Sequence, residues 1–246
     1  DSLLYTAIGG GFEIGANCHL VQLGGTNVVL DCGLRPHAGG PEALPDLDQL
    51  DALTDGRVDA LFITHAHRDH AGAIGEFRRR HTTTPVYASE ATCELVGALA
   101  SSWSGPPTAE PGSLLARPYG EWFEIAYGIE GCLTQAGHVV GAASVTLRAS
   151  DASVMFCADI ATAAHRMTGV FQAPDDISPD VMILGAMGGD RALDARRRKE
   201  GALVADVAEV VGAGGSAVVV ADRFGRAQEI VLALRSSMMS GQTPRF

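Results

Sequence analysis

Seven consecutive residues, Thr64-His65-Ala66-His67-Arg68-Asp69-His70, set three histidines and one carboxylate within six positions. Imidazole and carboxylate are the ligands of borderline-soft divalent metals, zinc above all. Four such donors in one turn can serve two neighbouring ions, and paired ions activate water for hydrolysis. The segment follows the apolar run Ala60-Leu61-Phe62-Ile63, so the donors stand where a strand ends and can be aimed at one point. A solvated histidine-rich loop has no structural use for tandem His-x-His spacing followed by Asp-His.

Three more polar residues lie just past, or between, apolar runs. Asp31 stops Val28-Val29-Leu30, His138 stands within Gly137-His138-Val139-Val140-Gly141, and Asp159 stops Met155-Phe156-Cys157. An Asp near a glycine is commonly a turn residue, and a histidine between glycines is equally at home in a loop. Each signal is weak alone, and their order around 65–70 gives them weight.

The elements that must position these residues alternate between strand and helix. Residues 3–8, 19–23, 26–30, 60–63, 85–88, 131–136, 142–148, 153–157, 181–184 and 216–220 read as strands, with Gly24-Gly25 as a hairpin turn. Helices are expected over 70–80, 89–100, 191–212 and 225–238. Residues 36–45 read as loop, and the Ser-, Gly- and Pro-rich stretch 101–120 as an irregular connection. Gly9-Gly10-Gly11 lacks a following helix and reads as a turn or a close-approach loop, not a phosphate cradle. Strand-rich halves with interspersed helices predict an α/β (α+β) fold of two packed sheets with helices on the outer faces.

Hydrophobic residues make up 46% of the 246, ample for a core, in one large domain or one domain plus a fragment. No apolar run approaches the length of a membrane span. Asp1 opens the chain without a methionine, so a trimmed or processed start without a signal peptide is expected. Cys18, Cys32, Cys93, Cys132 and Cys157 are odd in number and widely spaced, which argues for a reducing, cytoplasmic setting. A net charge of −11 argues against general nucleic-acid binding, which rests on neutralising phosphates. The runs Arg78-Arg79-Arg80 and Arg196-Arg197-Arg198-Lys199 fall in expected helices and read as solvated faces, with a local basic rim as the other reading.

The ordered set of Asp31, residues 65–70, His138 and Asp159 resembles the four motifs of the metallo-β-lactamase superfamily. That resemblance implies an αββα sandwich with a dinuclear metal site at one edge of the two sheets. His65, His67 and His138 would hold one metal, Asp69 and His70 the second, and Asp159 would bridge them. Asp31 would hydrogen-bond to a ligand and fix its orientation. The implied ions are two zincs, with manganese as the other candidate, and a metal-bridging hydroxide oriented by Asp69 would attack in line.

Within the superfamily, residues 137–143 are similar to the G-H-x-x-G-A-A of the β-CASP nucleases, in the pre-mRNA 3′-end endonuclease branch more than in RNase J. Residues 216–220 leading into Gly225-Arg226-Ala227-Gln228-Glu229 resemble the strand and helix start that open the β-CASP cap. This implies RNA as substrate, DNA as a second candidate, and a phosphate seat at Gly225 and Arg226 on a helix N-terminus. The expected organisation is a metallo-β-lactamase-like domain over 1–212 and the incomplete beginning of a β-CASP-like segment over 213–246.

The departures matter as much. Gly185 stands where the family carries an acid, the pair Asp222-Arg223 is unusual before the cap helix, and no histidine lies beyond His165. The family's later histidines, a general acid and the last ligand of the second metal, have no match. A partner chain or a second copy would complete the site, or the site is altered. Three functions follow: a β-CASP-type ribonuclease, a small-molecule metallo-hydrolase of thioesterase or lactonase type, and a catalytically impaired subunit completed by a partner chain.

Overall fold

The structure, a computed structural model, describes residues 3–103, 114–176, 178–186, 189 and 195–239. One sheet has six strands in chain order: β1 (Leu4–Gly9), β2 (Cys18–Leu23), β3 (Thr26–Leu30), β4 (Ala60–Phe62), β5 (Val86–Ala88) and β6 (Leu115–Ala116). Strands β1 to β3 are antiparallel, and β3 to β6 are parallel. The second sheet comprises β7 (Trp122–Ala126), β8 (Ile129–Gln135), β9 (Ala143–Arg148), β10 (Ser153–Cys157) and β11 (Val181–Leu184). They lie in the order β11-β10-β9-β8-β7, antiparallel except for the parallel β10–β11 pair.

Strand β3 shows why layers form. Val28 and Leu30 point into the core between the sheets, with Phe62, Leu133, Val145 and Phe156. Val29, one residue out of phase, points to the other face beside Leu20 and Leu61. A strand buried on both faces needs helical cover. That cover comes from α1 (Leu47–Thr54), α2 (Arg68–Ala71), α3 (Ile74–Arg80) and α4 (Glu90–Leu99), which bring Leu50, Ile74, Phe77 and Val96 into the same cluster. Fully burying side chains such as Phe62 and Phe77 stabilises the fold by about 1.5–3 kcal/mol each. Helices α5 (Arg196–Gly212) and α6 (Arg226–Met239) follow and contact one another. The expected two-sheet α/β sandwich forms. Among the described residues no helix is long and apolar enough to cross a membrane.

Several local expectations are corrected. The helix expected over 70–80 is split, because Ala73 N–H donates to Cys32 O (2.9 Å) and so leaves the helical ladder. Residues 216–220 form no strand: Val218 is 90% and Val220 93% exposed, and no described strand lies alongside. Valine-rich composition favours a strand only when a neighbour supplies the ladder and the packing. Within 36–45 a short 3₁₀ turn covers Gly40–Ala43. Helix α1, unanticipated, is capped by Asp46, which accepts from Gln49 N at 2.9 Å. Strand β7 was also missed, and β6 falls in the stretch expected to be irregular, of which 104–113 lie outside the described residues. The long helix begins at Arg196, and 191–194 of its expected span lie outside the described residues.

Candidate metal centre

Because β3 and β4 are parallel neighbours, they deliver their following residues to the same end of the sheet. Asp31 leaves β3, Thr64 to His70 leave β4, His138 lies in the β8–β9 loop, and Asp159 follows β10. Ala143 N–H donates to Thr64 O (2.8 Å), which stitches the two sheets together beside the histidine turn.

His65, His67, His138 and Asp159 each offer one ligand atom, all within 4.8 Å of one another. His65 Nε2 lies 3.0 Å from His67 Nδ1, and His138 Nε2 lies 3.3 Å from the same atom. Asp159 Oδ2 is 3.2 Å from His138 Nε2 and 3.9 Å from His65 Nε2.

The neighbours settle which nitrogen of two histidines is free. Thr64 Oγ1 donates to Asp31 Oδ2 (2.9 Å), so it accepts from His65 Nδ1–H (3.0 Å) and leaves the Nε2 lone pair facing the cluster. His67 Nε2 lies 3.2 Å from Phe224 O, a pure acceptor, so the hydrogen sits there and Nδ1 faces the cluster. Burial, then the imidazoles of His70, His67 and His138, push His65 well below the usual histidine range. Burial likewise lowers His138 to about 4, against the opposing pull of Asp159. Neutral imidazoles with inward lone pairs and one carboxylate fit a divalent cation.

Asp69 and His70, expected as a second half, bring His70 Nε2 and Asp69 Oδ2 to 3.5 Å of one another. Asp31, fully buried and in the left-handed region (φ 63°), accepts from Thr64 N (2.7 Å) and from His70 Nδ1 (2.8 Å). Burial pulls the His70 pKa down, but Asp31, Asp69 and Asp159 together outweigh it and raise it to about 9. Asn17 makes the opposite demand: its Nδ2 donates to Asp69 O (3.0 Å) and faces His70 Nε2 at 3.2 Å, where it calls for a lone pair. A divalent cation on Nε2 would replace the proton and take the lone pair itself, leaving the Asn17 amide its bond to Asp69 O. A cavity of about 570 Å³ opens beside this half, bounded by Asp69, His70, Asp159, Asn17 and Phe12.

All six expected ligands therefore lie at one sheet edge, and Asp31 sits behind both halves. Gly225 and Arg226 also reach it. A Cβ on Gly225 would lie 2.6 Å from Val139 Cγ1, so only glycine lets the start of α6 come this close, and its φ of 89° suits glycine too. Gly225 N–H donates to Gln228 Oε1 (2.8 Å), which satisfies the backbone donor at the start of the helix. Arg226 lines a small cavity of about 90 Å³ with His67, His138, His165 and Asp222. Asp222 thus lies on the three-histidine side and does not line the cavity beside Asp69 and His70.

A side chain at position 185 does not fit this backbone, because a Cβ there would lie 2.0 Å from Ala158 O. The basic runs are largely committed. Arg80 pairs with Asp48 (2.6 Å) and Asp51 (3.0 Å), Arg79 with Glu76, and Arg196 with Glu200 (2.6 Å) and Glu229. Sequence reasoning missed Asn17, left Thr64 without a role and assigned nothing to Phe224. Asn17 follows a glycine-rich turn, a faint signal, whereas the Phe224 carbonyl left no signal at all.

The family model of the metallo-beta-lactamase superfamily matches residues 11–207. The chain is 28% identical over 251 residues to Endoribonuclease YSH1 of Yarrowia lipolytica, covering 95% of the chain and 30% of that protein. It is 27% identical over 249 residues to Cleavage and polyadenylation specificity factor subunit 3-I of Arabidopsis thaliana, covering 95% of the chain and 35% of that protein. Among solved structures, Rm3 metallo-beta-lactamase superposes with a TM-score of 0.53 at 20% identity, over 97% of this chain and 91% of that one. The chain spans about a third of the length of these two curated relatives. With the motifs in order at one edge of two sheets and 11–207 matched by the family model, the chain belongs to the metallo-β-lactamase superfamily.

Proposed function

We propose that this chain forms the catalytic region of a metal-dependent phosphodiesterase of the β-CASP type that hydrolyses RNA. The carrying observation is the convergence of His65 Nε2, His67 Nδ1, His138 Nε2 and Asp159 on one point, with His67 locked by the carbonyl that precedes Gly225-Arg226. The likeness to an endoribonuclease over 95% of the chain supports RNA as the substrate class.

His65, His67 and His138 would hold one zinc and Asp69 and His70 the other, with Asp159 within reach of the first group. Zinc, when bound, supplies Lewis acidity and brings the pKa of water towards neutrality. The chain's own residues do the rest. Asp31 orients His70 directly and His65 through Thr64, so both present Nε2. Asp69 accepts the proton of the attacking water and points the water's lone pair at phosphorus, and the P–O bond to the leaving sugar oxygen breaks as that oxygen takes a proton from solvent. Arg226, at the start of α6, pairs with a phosphate oxygen.

The test is cleavage of a labelled single-stranded RNA by the purified chain with zinc or manganese, beside a DNA strand of the same sequence. Metal-dependent RNA cleavage is expected, lowered at least about 100-fold in Asp69→Ala, the scale of losing general acid–base help. RNA left intact by a parent protein shown by mass spectrometry to carry metal sinks the reading.

A further inference from the structure

A second cavity, of about 430 Å³, lies on the far side of Val139 from the Arg226 pocket, and Val139 lines both. Its walls include Arg117, Tyr119, Met167, Gly141 and the first turn of α4 at Ser89 and Glu90. Arg117 is the unusual member. Its guanidinium carbon sits 4.5 Å from the Phe123 ring centroid and 5.0 Å from that of Tyr87. Its Nε is buried without a hydrogen-bond partner, and no described carboxylate pairs with it. In a chain of net charge −11, where Arg35, Arg80 and Arg196 are all neutralised by acids, a ring-held and unneutralised guanidinium is poised for an external anion.

Tyr119 adds a second observation. The residue is 41% exposed, and its hydroxyl donates to Ala142 O (3.2 Å), which ties it to the loop that carries His138. An arginine and a fixed, exposed aromatic ring in one groove are what single strands require, charge for the phosphate and a face for the base. The opposing charge is Glu90, exposed at the start of α4. Ser89 Oγ and Thr92 Oγ1 both donate to Gly141 O (2.6 and 2.8 Å), so the groove wall and the His138 loop are one braced unit.

We infer that this cavity is a strand-binding subsite, in which Arg117 receives a phosphate of a single-stranded RNA and Tyr119 stacks on the adjoining base. The inference rests on the ribonuclease reading and extends it, since it says where the strand runs beyond the metal centre. The path passes from Arg226, over His67 and His138, across Val139 to Arg117.

The experiment is fluorescence anisotropy of the metal-loaded chain with a labelled single-stranded oligoribonucleotide carrying phosphorothioate linkages, at several salt concentrations. Arg117→Gln is expected to weaken binding about five- to tenfold and to flatten the slope of log K against log salt by about 0.7, the value for one phosphate contact on a single strand. Tyr119→Ala is expected to weaken binding at least about fivefold with the salt slope unchanged. Glu90→Gln, at an exposed position where folding is not at issue, is expected to tighten binding about twofold by removing the like charge. A parent chain that cuts RNA while Arg117→Gln and Glu90→Gln keep its affinity and salt slope overturns the subsite alone. Should Arg117→Gln melt early, an unchanged Glu90→Gln suffices to overturn it. A parent that neither binds this strand nor cuts the unmodified RNA overturns the subsite and the ribonuclease reading together.

Discussion

The rings of His65 and His70 lie 4.1 Å apart between centroids and come from one turn, yet their surroundings prepare them in opposite ways. Around His65 the neighbours are other imidazoles, so burial and mutual repulsion keep it neutral with its lone pair inward. Around His70 the neighbours are Asp31, Asp69 and Asp159, and they hold a proton on it. The three-histidine half is suited to a cation as it stands, whereas a cation at Asp69 and His70 would have to displace a proton. Preparation of a metal site is thus set by the charge of what lies behind the ligands as well as by the ligands themselves.

The largest expected effect comes from removing what joins the halves. Asp31→Ala leaves His70 Nδ1–H and the Thr64 donors unpaired in the core, and should cost about 3–5 kcal/mol by urea denaturation of the metal-free chain. A loss below about 1 kcal/mol would mean that Asp31 is not ion-paired with His70.

Next comes the pH dependence of the metal-free chain, on which the halves act in opposite senses. His70 has a folded pKa of about 9, above its unfolded value near 6.5. Its stabilisation is full below pH 6.5 and is lost as pH rises through about 9, a change on the order of 3 kcal/mol. His138, at about 4, is depressed, so its contribution is present above pH 6.5 and is lost as pH falls towards 4. Thermal melting against pH should therefore peak near neutrality, and His70→Gln should flatten only the alkaline limb. Flattening of both limbs would show that the halves do not titrate separately.

Metal content sharpens the contrast further. His138→Ala should weaken the tighter metal by more than about 100-fold, beyond the range seen for partners that only support a ligand. Asp69→Ala should cost one equivalent and leave the other within about tenfold. Chelator competition with native mass spectrometry reads both, and equal losses in the two variants would merge the halves into one unit.

The smallest effect lies outside the cluster. Ser89 caps α4 by accepting from Thr92 N (3.2 Å) and also holds Gly141 O, so Ser89→Ala should cost about 1 kcal/mol without changing metal stoichiometry. A changed metal count would show that the β8–β9 loop depends on this brace to present His138.

Much of the fold was legible because strand ends coincide with chemical residues. The apolar runs before Asp31, His65 and Asp159 are β3, β4 and β10, and continuous apolar runs suit strands buried on both faces. Residues 216–220 misled for the same reason: valines announce a strand, but a strand also needs a neighbour, and none is described there. Helix α1 went unread although Asp46 and Gln49 spell its cap, because a short helix beside a proline-rich loop offers few turns of periodicity.

At the site, ligand types and their order were legible, since imidazole and carboxylate spacing is local. What stood behind them was not. Thr64 was in plain view but gained its role only from Asp31, 33 residues away, and Asn17 from His70, 53 residues away. The sequence alone singled out His65, His67, His138 and Asp159 as candidate donors and placed strands before them, and the structure brings the four together. Only the tertiary structure decided which nitrogen each of His65 and His67 presents and whether His70 carries a proton. A tautomer is chosen by the partner of the other nitrogen, and for His67 that partner is a carbonyl 157 residues along the chain.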